Sequence, residues 1–497
     1  MTNNPESIVS DLRSQCDRLI EFARCDEPRT AYDVECDVLR QVLSLARGAM
    51  QLFLTMSASR YVSATTLDAS GKELRRHNLR SGIYRSVFGN VRFAHYYYWS
   101  GGAGFCAMDA ALNLPGSGPS DLLRQMTEEL ALSLSYEDAT TFLSKYFPVA
   151  TSTRCVAASV IEDSGPAEAY YDEAQPPAVA PEACILAVQA DGKGVPMRRA
   201  STVAPDPGRL HQGPTRDGRK QEATVASVSC HRPFVRTPED VVDSLFADVK
   251  PDQRLRRDSD RYDQPTKLIW ATLGGKRSAL KRALRWVKQL DNAAIKWRIA
   301  LTDGCESLQN RVHEAFPKFI RILDLMHAIS YLWKASDTWF GKGSTNGKSW
   351  VRSKILAMLK GQTAAIITEI RGWASKPDRP TNIKVLETSA GYFERNISAM
   401  RYDEYLAKGW PIATGIIEGA CRYIVKDRCE RTGQRWTETG AEAMLHLRCV
   451  HANGHWDDYH AFRRAQRSRE IYGREPQSPT ETDVYVFNTK TEYAQAA

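Results

Sequence analysis

Four acidic side chains stand where carboxylate chemistry is possible. Asp191 ends the apolar run CILAVQAD and is followed by Gly192 and Gly194, beside which a metal ion could approach a carboxylate unobstructed. The same residues equally fit an Asp-Gly turn. Asp303 ends AIKWRIALTD, again just before a glycine, and Asp324 ends FIRILD with His327 one helical turn beyond. Glu418 lies in PIATGIIEGACRYIVKDRCERTGQRW, between Gly415 and Gly419, where an apolar run meets a basic helix. Either it joins the upstream acids, or it pairs with Arg422 four residues on, a helix-surface contact of a few tenths of a kcal/mol. His327 either orients an acid or contacts a phosphate, or is a histidine satisfied within a core.

The elements that must position these residues belong to an ordinary soluble globular chain, with 42% hydrophobic and 25% charged residues among 497. That length predicts two to four domains. No apolar run reaches the roughly 20 residues of a membrane span. The start, MTNNPESIVSDLRSQ, lacks the basic and apolar regions of a signal peptide, so a cytoplasmic protein is expected. Eleven cysteines without a CxxC pair give neither a disulfide framework nor a zinc ribbon. A net charge of +8 implies a polyanionic partner only where the basic residues cluster.

Residues 5–55 carry apolar positions at helical spacing. IYRSVFGNVRFAHYYYW, residues 83–99, predicts a short hairpin around Gly89-Asn90; its tyrosines either stack on bases or form a small core. Ser120 is a candidate N-cap, and helices beginning near Tyr136 and Ser152 complete a helix-turn-helix outline. GPAEAYYDEAQPPAVAPEAC, residues 164–183, has linker composition. Strands are expected at CILAVQAD, EATVASVSCHRPFVR, AIKWRIALTD and FIRILD, with residues 198–221 a polar mobile loop. SALKRALRWVKQLDN predicts a helix bearing Arg277, Lys281, Arg285 and Lys288 near one face, either solvated or phosphate-binding.

The order strand-Asp, strand, helix, strand-Asp, helix, strand, and a remote helix with Glu418 is that of an RNase H-like core, a mixed sheet flanked by helices. More than a hundred residues separate Asp303 from Glu418, which requires an insertion, and residues 335–408 have helical periodicity. The expected division is 1–118, N-terminal helices and aromatic hairpin; 119–165, helix-turn-helix-like DNA-binding module; 166–183, linker; 184–334, first part of the catalytic core; 335–408, helical insertion; 409–462, C-terminal helical part of the core; and 463–497, polar tail.

GIIEGACRYIVKDRCERTGQRW, GAEAMLHLR, ADGKGVP, LTDG and ILDLMHAISYL together resemble the DDE-type transposases of bacterial insertion sequences, in particular the Kra family, over about Tyr84 to Tyr459. The resemblance implies an enzyme that binds the ends of its element and catalyses DNA cleavage and strand transfer. Asp191, Asp303 and Glu418 would be the catalytic triad, and Asp324 and His327 the accompanying D-x-x-H element. Asp303 is preferred as second ligand, with Asp324 the alternative. Carboxylates suit hard ions, so Mg²⁺ or Mn²⁺ is the expected cofactor, two ions about 4 Å apart activating the attacking oxygen and stabilising the leaving one. Family hairpins often carry the paired cysteines of a zinc ribbon; here only Cys106 remains, which argues against a structural zinc. Double-stranded DNA, as terminal repeats and target, is the implied partner, held by Arg277, Lys281, Arg285, Arg422, Lys426, Arg428, Arg431 and Arg435. Trp436 either stacks on a base or packs in the core. Pairing two DNA ends implies a homodimer or higher oligomer, nucleoid-associated when DNA-bound. An inactive DNA-binding descendant and a nuclease without strand transfer are the rival readings.

Overall fold

The computed structural model describes residues 4–24, 28–198, 220–246, 266–376, 382–431 and 433–474. The expected mobile loop lies outside them for residues 199–219, as does the tail beyond residue 474. The chain divides into two compact units, Met1–Ser159 with Asp457–Ala497, and Val160–Trp456.

In the first unit, helices Pro5–Ala23 and Ala31–Arg60 precede an antiparallel sheet of β1 (Thr65–Leu67), β2 (Glu73–Ser86), β3 (Gly89–Ser100) and β4 (Ala103–Cys106). The hairpin is longer than the sequence predicts and turns earlier. Ser86 pairs with Gly89 across Val87-Phe88, and the Ser86 hydroxyl fastens the turn by accepting from the Phe88 N–H and donating to the Gly89 carbonyl. Gly89 has φ +98°, and a Cβ there would meet the Pro148 carbonyl at 3.1 Å, so glycine is required by backbone and space together. Tyr98 is core, its hydroxyl donating to the carbonyls of Tyr61 and Ser63. Tyr96 and Tyr97 instead lie under the guanidinium groups of Arg76 and Arg80.

Helices Asp121–Ser133, Tyr136–Tyr146 and Thr153–Ser164 follow. Ser120 and Ser135 cap the first two by accepting from the backbone three residues on. The region expected to be a polar tail begins as helix Trp456–Tyr472, where Tyr472 donates to the Leu114 carbonyl and Arg467 pairs with Asp121. Its charged composition conceals side chains that are spent on specific partners.

The second unit holds a mixed sheet flanked by helices. Its strands are β5 (Ile185–Pro196), β6 (Lys220–His231), β7 (Thr266–Thr272), β8 (Trp297–Thr302) and β9 (Ile320–Leu323), in the order β7-β6-β5-β8-β9. The first three form an antiparallel meander, and β8 and β9 run parallel to β5. Ile185, Ala187, Ile299, Leu301 and Ile322 line one face and share a core with the helices Leu325–Phe340, Thr345–Leu359, Thr363–Ala374, Ile383–Asn396 and Tyr402–Ala407. The insertion is therefore helical, but its expected start at residue 335 falls inside the continuous helix Leu325–Phe340. On the other face Trp270 stacks on His446 at 4.3 Å and meets Tyr171 edge-on, which also contacts Trp286 of helix Gly275–Leu290.

Tyr171 corrects the expected linker. Residues Ala167–Glu173 are a helix whose two tyrosines are buried, and the chain becomes extended only at Ala174, ahead of the prolines. Asn453, beyond helix Glu438–Ala452, completes the edge of β7 by accepting from the Ile269 N–H and donating to the Ile269 carbonyl and the Tyr171 hydroxyl. Asn453→Ala leaves those edge groups unmatched and is expected to cost about 2 kcal/mol, read as a lowered urea midpoint at unchanged slope.

Candidate functional site

Register brings three acids into one row. β5 pairs with β8 as Gln189↔Leu301, and β8 with β9 as Thr302↔Leu323, so Asp191, Asp303 and Asp324 occupy successive equivalent positions across β5, β8 and β9. Strand periodicity puts Asp191 on the same face as Gln189, Ala187 and Ile185. The expectation that Asp191 ends its strand is corrected in one respect. β5 continues to Pro196 against β6, and only its parallel pairing with β8 stops before Asp191. Asp303 and Asp324 do lie just past the ends of their strands.

Glu418 reaches this row on helix Gly415–Ala420, which is fastened at two points. The Ile417 N–H donates to Oε1 of Gln189 at 3.2 Å, and the Thr414 N–H donates to Oδ1 of Asp324 at 2.7 Å. Thr414 Oγ1 then donates to Glu418 Oε1 at 3.1 Å. Gln189, buried on β5 beside Asp191, is a positioning residue that the sequence reading missed; a polar side chain two residues before the acid in an otherwise apolar strand was its one signal.

Asp324 is fully buried and caps helix Leu325–Phe340. Its Oδ2 accepts from both the backbone N–H and Nδ1 of His327, each at 2.8 Å. Burial alone would raise its pKa, but these bonds and those from Thr414 outweigh burial and hold it below the usual carboxylate range. The His327 imidazole is pushed up, chiefly by its bond to Asp324, against the opposing effect of burial and with help from the charges of Asp324, Asp303 and Glu418.

Asp303 is more open. It is half-buried, and its Oδ1 accepts from the Cys305 N–H at 2.9 Å. Tyr392 of helix Ile383–Asn396 donates to the Asp303 carbonyl at 2.9 Å while stacking on Tyr331. A Cβ on Gly304 would lie 2.5 Å from the Tyr392 hydroxyl, and Gly304 has φ +86°, which explains the Asp-Gly pair. Asp191 accepts from the Gly192 N–H and, at 3.5 Å, from the Cys421 thiol. Burial first, then the charge of Asp191, raises the Cys421 pKa, with a smaller contribution from Glu418.

The donor atoms of Asp324, His327 and Glu418 lie within 4.8 Å of one another, a set that leaves out Asp191 and Asp303. Asp303 and Glu418 nevertheless both act on His327, and Asp191 and Glu418 both act on Cys421. Among the described residues, no Lys or Arg forms an ion pair with Asp191, Asp303, Asp324 or Glu418.

Of the two readings of Glu418, the helix-surface pair with Arg422 is not the one formed. Residues Cys421–Lys426 form a π-helix, and Arg422 meets Asp427 at 3.8 Å, five residues on. Arg428 is corrected as a DNA contact: it is 1% exposed, donates to Gln434 and lies over Trp436. Trp436 packs, its indole donating to the Cys429 carbonyl. Arg422, Lys426, Arg431 and Arg435 are exposed. Helix Gly275–Leu290 begins after β7, at the edge where the acids lie, and Arg277 and Lys281 are exposed. Arg285 lies about 12 Å further along than Arg277 and is bound to both carboxylate oxygens of Asp172, which removes it from the expected phosphate face.

No protein-family model and no curated protein matches the chain. Among solved structures, the Drosophila P element transposase strand transfer complex is similar over 73% of this chain and 83% of that one, with 10% identity and a TM-score of 0.22. No described helix is long and apolar enough to cross a membrane.

The dyad has a signed pH dependence. The His327 pKa is raised on folding, so its contribution is complete below about 6.5, the unfolded value, and is lost as pH rises through the folded pKa. Asp324 is shifted down, so its contribution is present above about 3.9 and disappears only as pH falls through the folded pKa. In metal-free buffer, the stability difference between wild type and His327→Gln is expected to be larger near about pH 5.5 than near about pH 8.5. Urea unfolding at both values measures this, and equal differences would count against the ion pair.

Proposed function

We propose that this chain is a DDE-type DNA transposase with an RNase H-like core, in keeping with its resemblance to the Kra family. The observation that carries the proposal is the acidic row Asp191, Asp303 and Asp324 joined by Glu418, with no Lys or Arg paired to any of them among the described residues. Asp324 has His327 as its partner, and open carboxylates gathered beside it are a setting that a bound cation suits. The donor set, all carboxylate oxygen apart from one imidazole, fits Mg²⁺ or Mn²⁺.

In this proposal Asp191, Asp303 and Glu418 hold the ions. Asp324 is a positioning residue, since three donors already occupy its carboxylate and it ties Thr414, and through it Glu418, to the end of β9. Bound ions would supply an activated attacking oxygen and stabilisation of the leaving oxygen in an in-line phosphodiester displacement. His327, with its raised pKa, offers an N–H donor or a positive charge to a phosphate oxygen beside the acids. Arg277, Lys281, Arg422, Lys426, Arg431 and Arg435 would hold the backbone of double-stranded DNA, and helices Asp121–Ser133, Tyr136–Tyr146 and Thr153–Ser164 would engage the element's ends. Two such ends call for a homodimer or higher oligomer.

The deciding experiment is Mg²⁺- or Mn²⁺-dependent cleavage and joining of DNA that carries the ends flanking the gene. Glu418→Gln and Asp303→Asn are expected to bind DNA and remain folded, yet cleave about a thousandfold less or worse, as loss of several kcal/mol of transition-state stabilisation requires. Asp324→Asn is expected to lose thermal stability as well as cleavage. Cleavage retained by Asp303→Asn but lost by a stably folded Asp324→Asn would exchange their roles. Wild-type binding without cleavage would favour an inactive DNA-binding descendant; cleavage without joining would indicate a nuclease.

A further inference from the structure

Helix Ala31–Arg60 of the first unit carries an apolar seam that the described elements leave open. Leu39, Val42, Ala46, Ala49, Phe53 and Met56 recur at alternating intervals of three and four residues, the a and d positions of a coiled coil. Leu39, Val42, Phe53 and Met56 are 44%, 43%, 48% and 42% exposed. A single exposed apolar side chain needs no explanation, but four large ones in one register on one helix make a surface.

The helix makes its own contacts on other sides. Gly48 admits helix Pro5–Ala23 so closely that a Cβ would lie 2.7 Å from Leu12, and the Ser44 hydroxyl donates to Gln15 at 3.5 Å. Leu54 packs with Val91 of β3, and Gln51 donates to the Arg92 carbonyl. At 3.6 residues per turn, all of these point away from the seam. Charge enters the seam only at its two ends. Glu35 stands one step before Leu39 and Arg60 one step after Met56, and both are exposed. The ion pairs of this helix run from Asp37 to Arg29 and Arg40; Glu35 and Arg60 are in none among the described residues.

We propose that this helix pairs with the same helix of a second copy as an antiparallel coiled coil about a two-fold axis. The seam is self-complementary in that direction. With the axis between Ala46 and Ala49, each a position meets a d position of the other copy: Ala46 meets Ala49, Val42 meets Phe53, Leu39 meets Met56, and Glu35 meets Arg60. The alanines let the two backbones approach at the centre, Val42 leaves room for the Phe53 ring, and opposite charges close both ends of a seam about 38 Å long. A parallel pair would set Glu35 beside Glu35, Arg60 beside Arg60 and Phe53 against Phe53. An isologous contact of this kind closes at two subunits. With Arg60 its single basic residue, the seam does not suit a phosphate backbone. It offers a surface for the homodimer that two DNA ends call for, but it forms without DNA or metal.

The test is sedimentation equilibrium of the purified full chain, without DNA, over a concentration series. A reversible monomer–dimer equilibrium is expected. Phe53→Glu should weaken it at least about a hundredfold by placing an unpaired carboxylate in the seam, with far-ultraviolet circular dichroism unchanged because Phe53 is exposed in the single copy. Glu35→Arg and Arg60→Glu should each weaken the dimer about tenfold, as two end contacts turn from attraction to repulsion. The double reversal should regain wild-type affinity, a rescue that a parallel pair does not give. A wild type that stays monomeric, a dimer indifferent to Phe53→Glu, or single reversals without rescue in the double would each overturn the proposal, the second by placing self-association on another surface. A monomeric wild type would leave DNA cleavage by the acidic row untouched, and a dimer that never cleaves DNA would leave this interface standing.

Discussion

The buried carboxylate of Asp324 is the constraint on which the candidate site depends. It takes hydrogen bonds from the His327 backbone, the His327 ring and the Thr414 backbone, so one side chain ends β9, starts the following helix and anchors a segment 90 residues away. A buried ionised group is tolerated only when its lone pairs are occupied in this way. The consequence is geometric. The helix with Glu418 can dock only where Asp324 and Gln189 both meet its first turn, and that place is beside the acidic row.

The insertion has a structural role in the same site. Its helices cover the sheet face that bears the acids, and Tyr392 reaches from them to hold the Asp303 backbone at a glycine that leaves room for the ring. Covering one face while leaving the strand ends open keeps Asp303 and Glu418 in contact with solvent, where a polyanion could approach. The opposite face is closed by aromatic packing around Trp270, over which Arg282 lies, and Asp172 holds both Arg282 and Arg285. Basic residues on that side are therefore divided between structural ion pairs and exposed positions, a division that composition alone does not reveal.

The two units handle their polar groups differently. In the second, acids gather without Lys or Arg partners among the described residues, and only Asp324 has a cationic neighbour, His327. In the first, His95 lies between the Cys106 thiol and the Asp109 carboxylate, one at each ring nitrogen.

By itself the sequence determined the local elements and the residue types at their ends. Apolar runs of strand length specified β5, β8 and β9, Ser120 marked a helix start, and Asp324 and the Asp-Gly at 303 marked the ends of β9 and β8, because burial pattern and capping act over a few residues. Tertiary structure decided what depends on distant partners. The parallel register placed Asp191, Asp303 and Asp324 in one row, Arg422 meets Asp427 rather than Glu418, burial took Arg428 away from any phosphate, and pairing with Asp172 engaged Arg285. Gln189 and the His95, Cys106 and Asp109 cluster became visible only in three dimensions. Hydrogen bonds between segments tens to hundreds of residues apart leave no periodicity in the chain, and so could not be read from it.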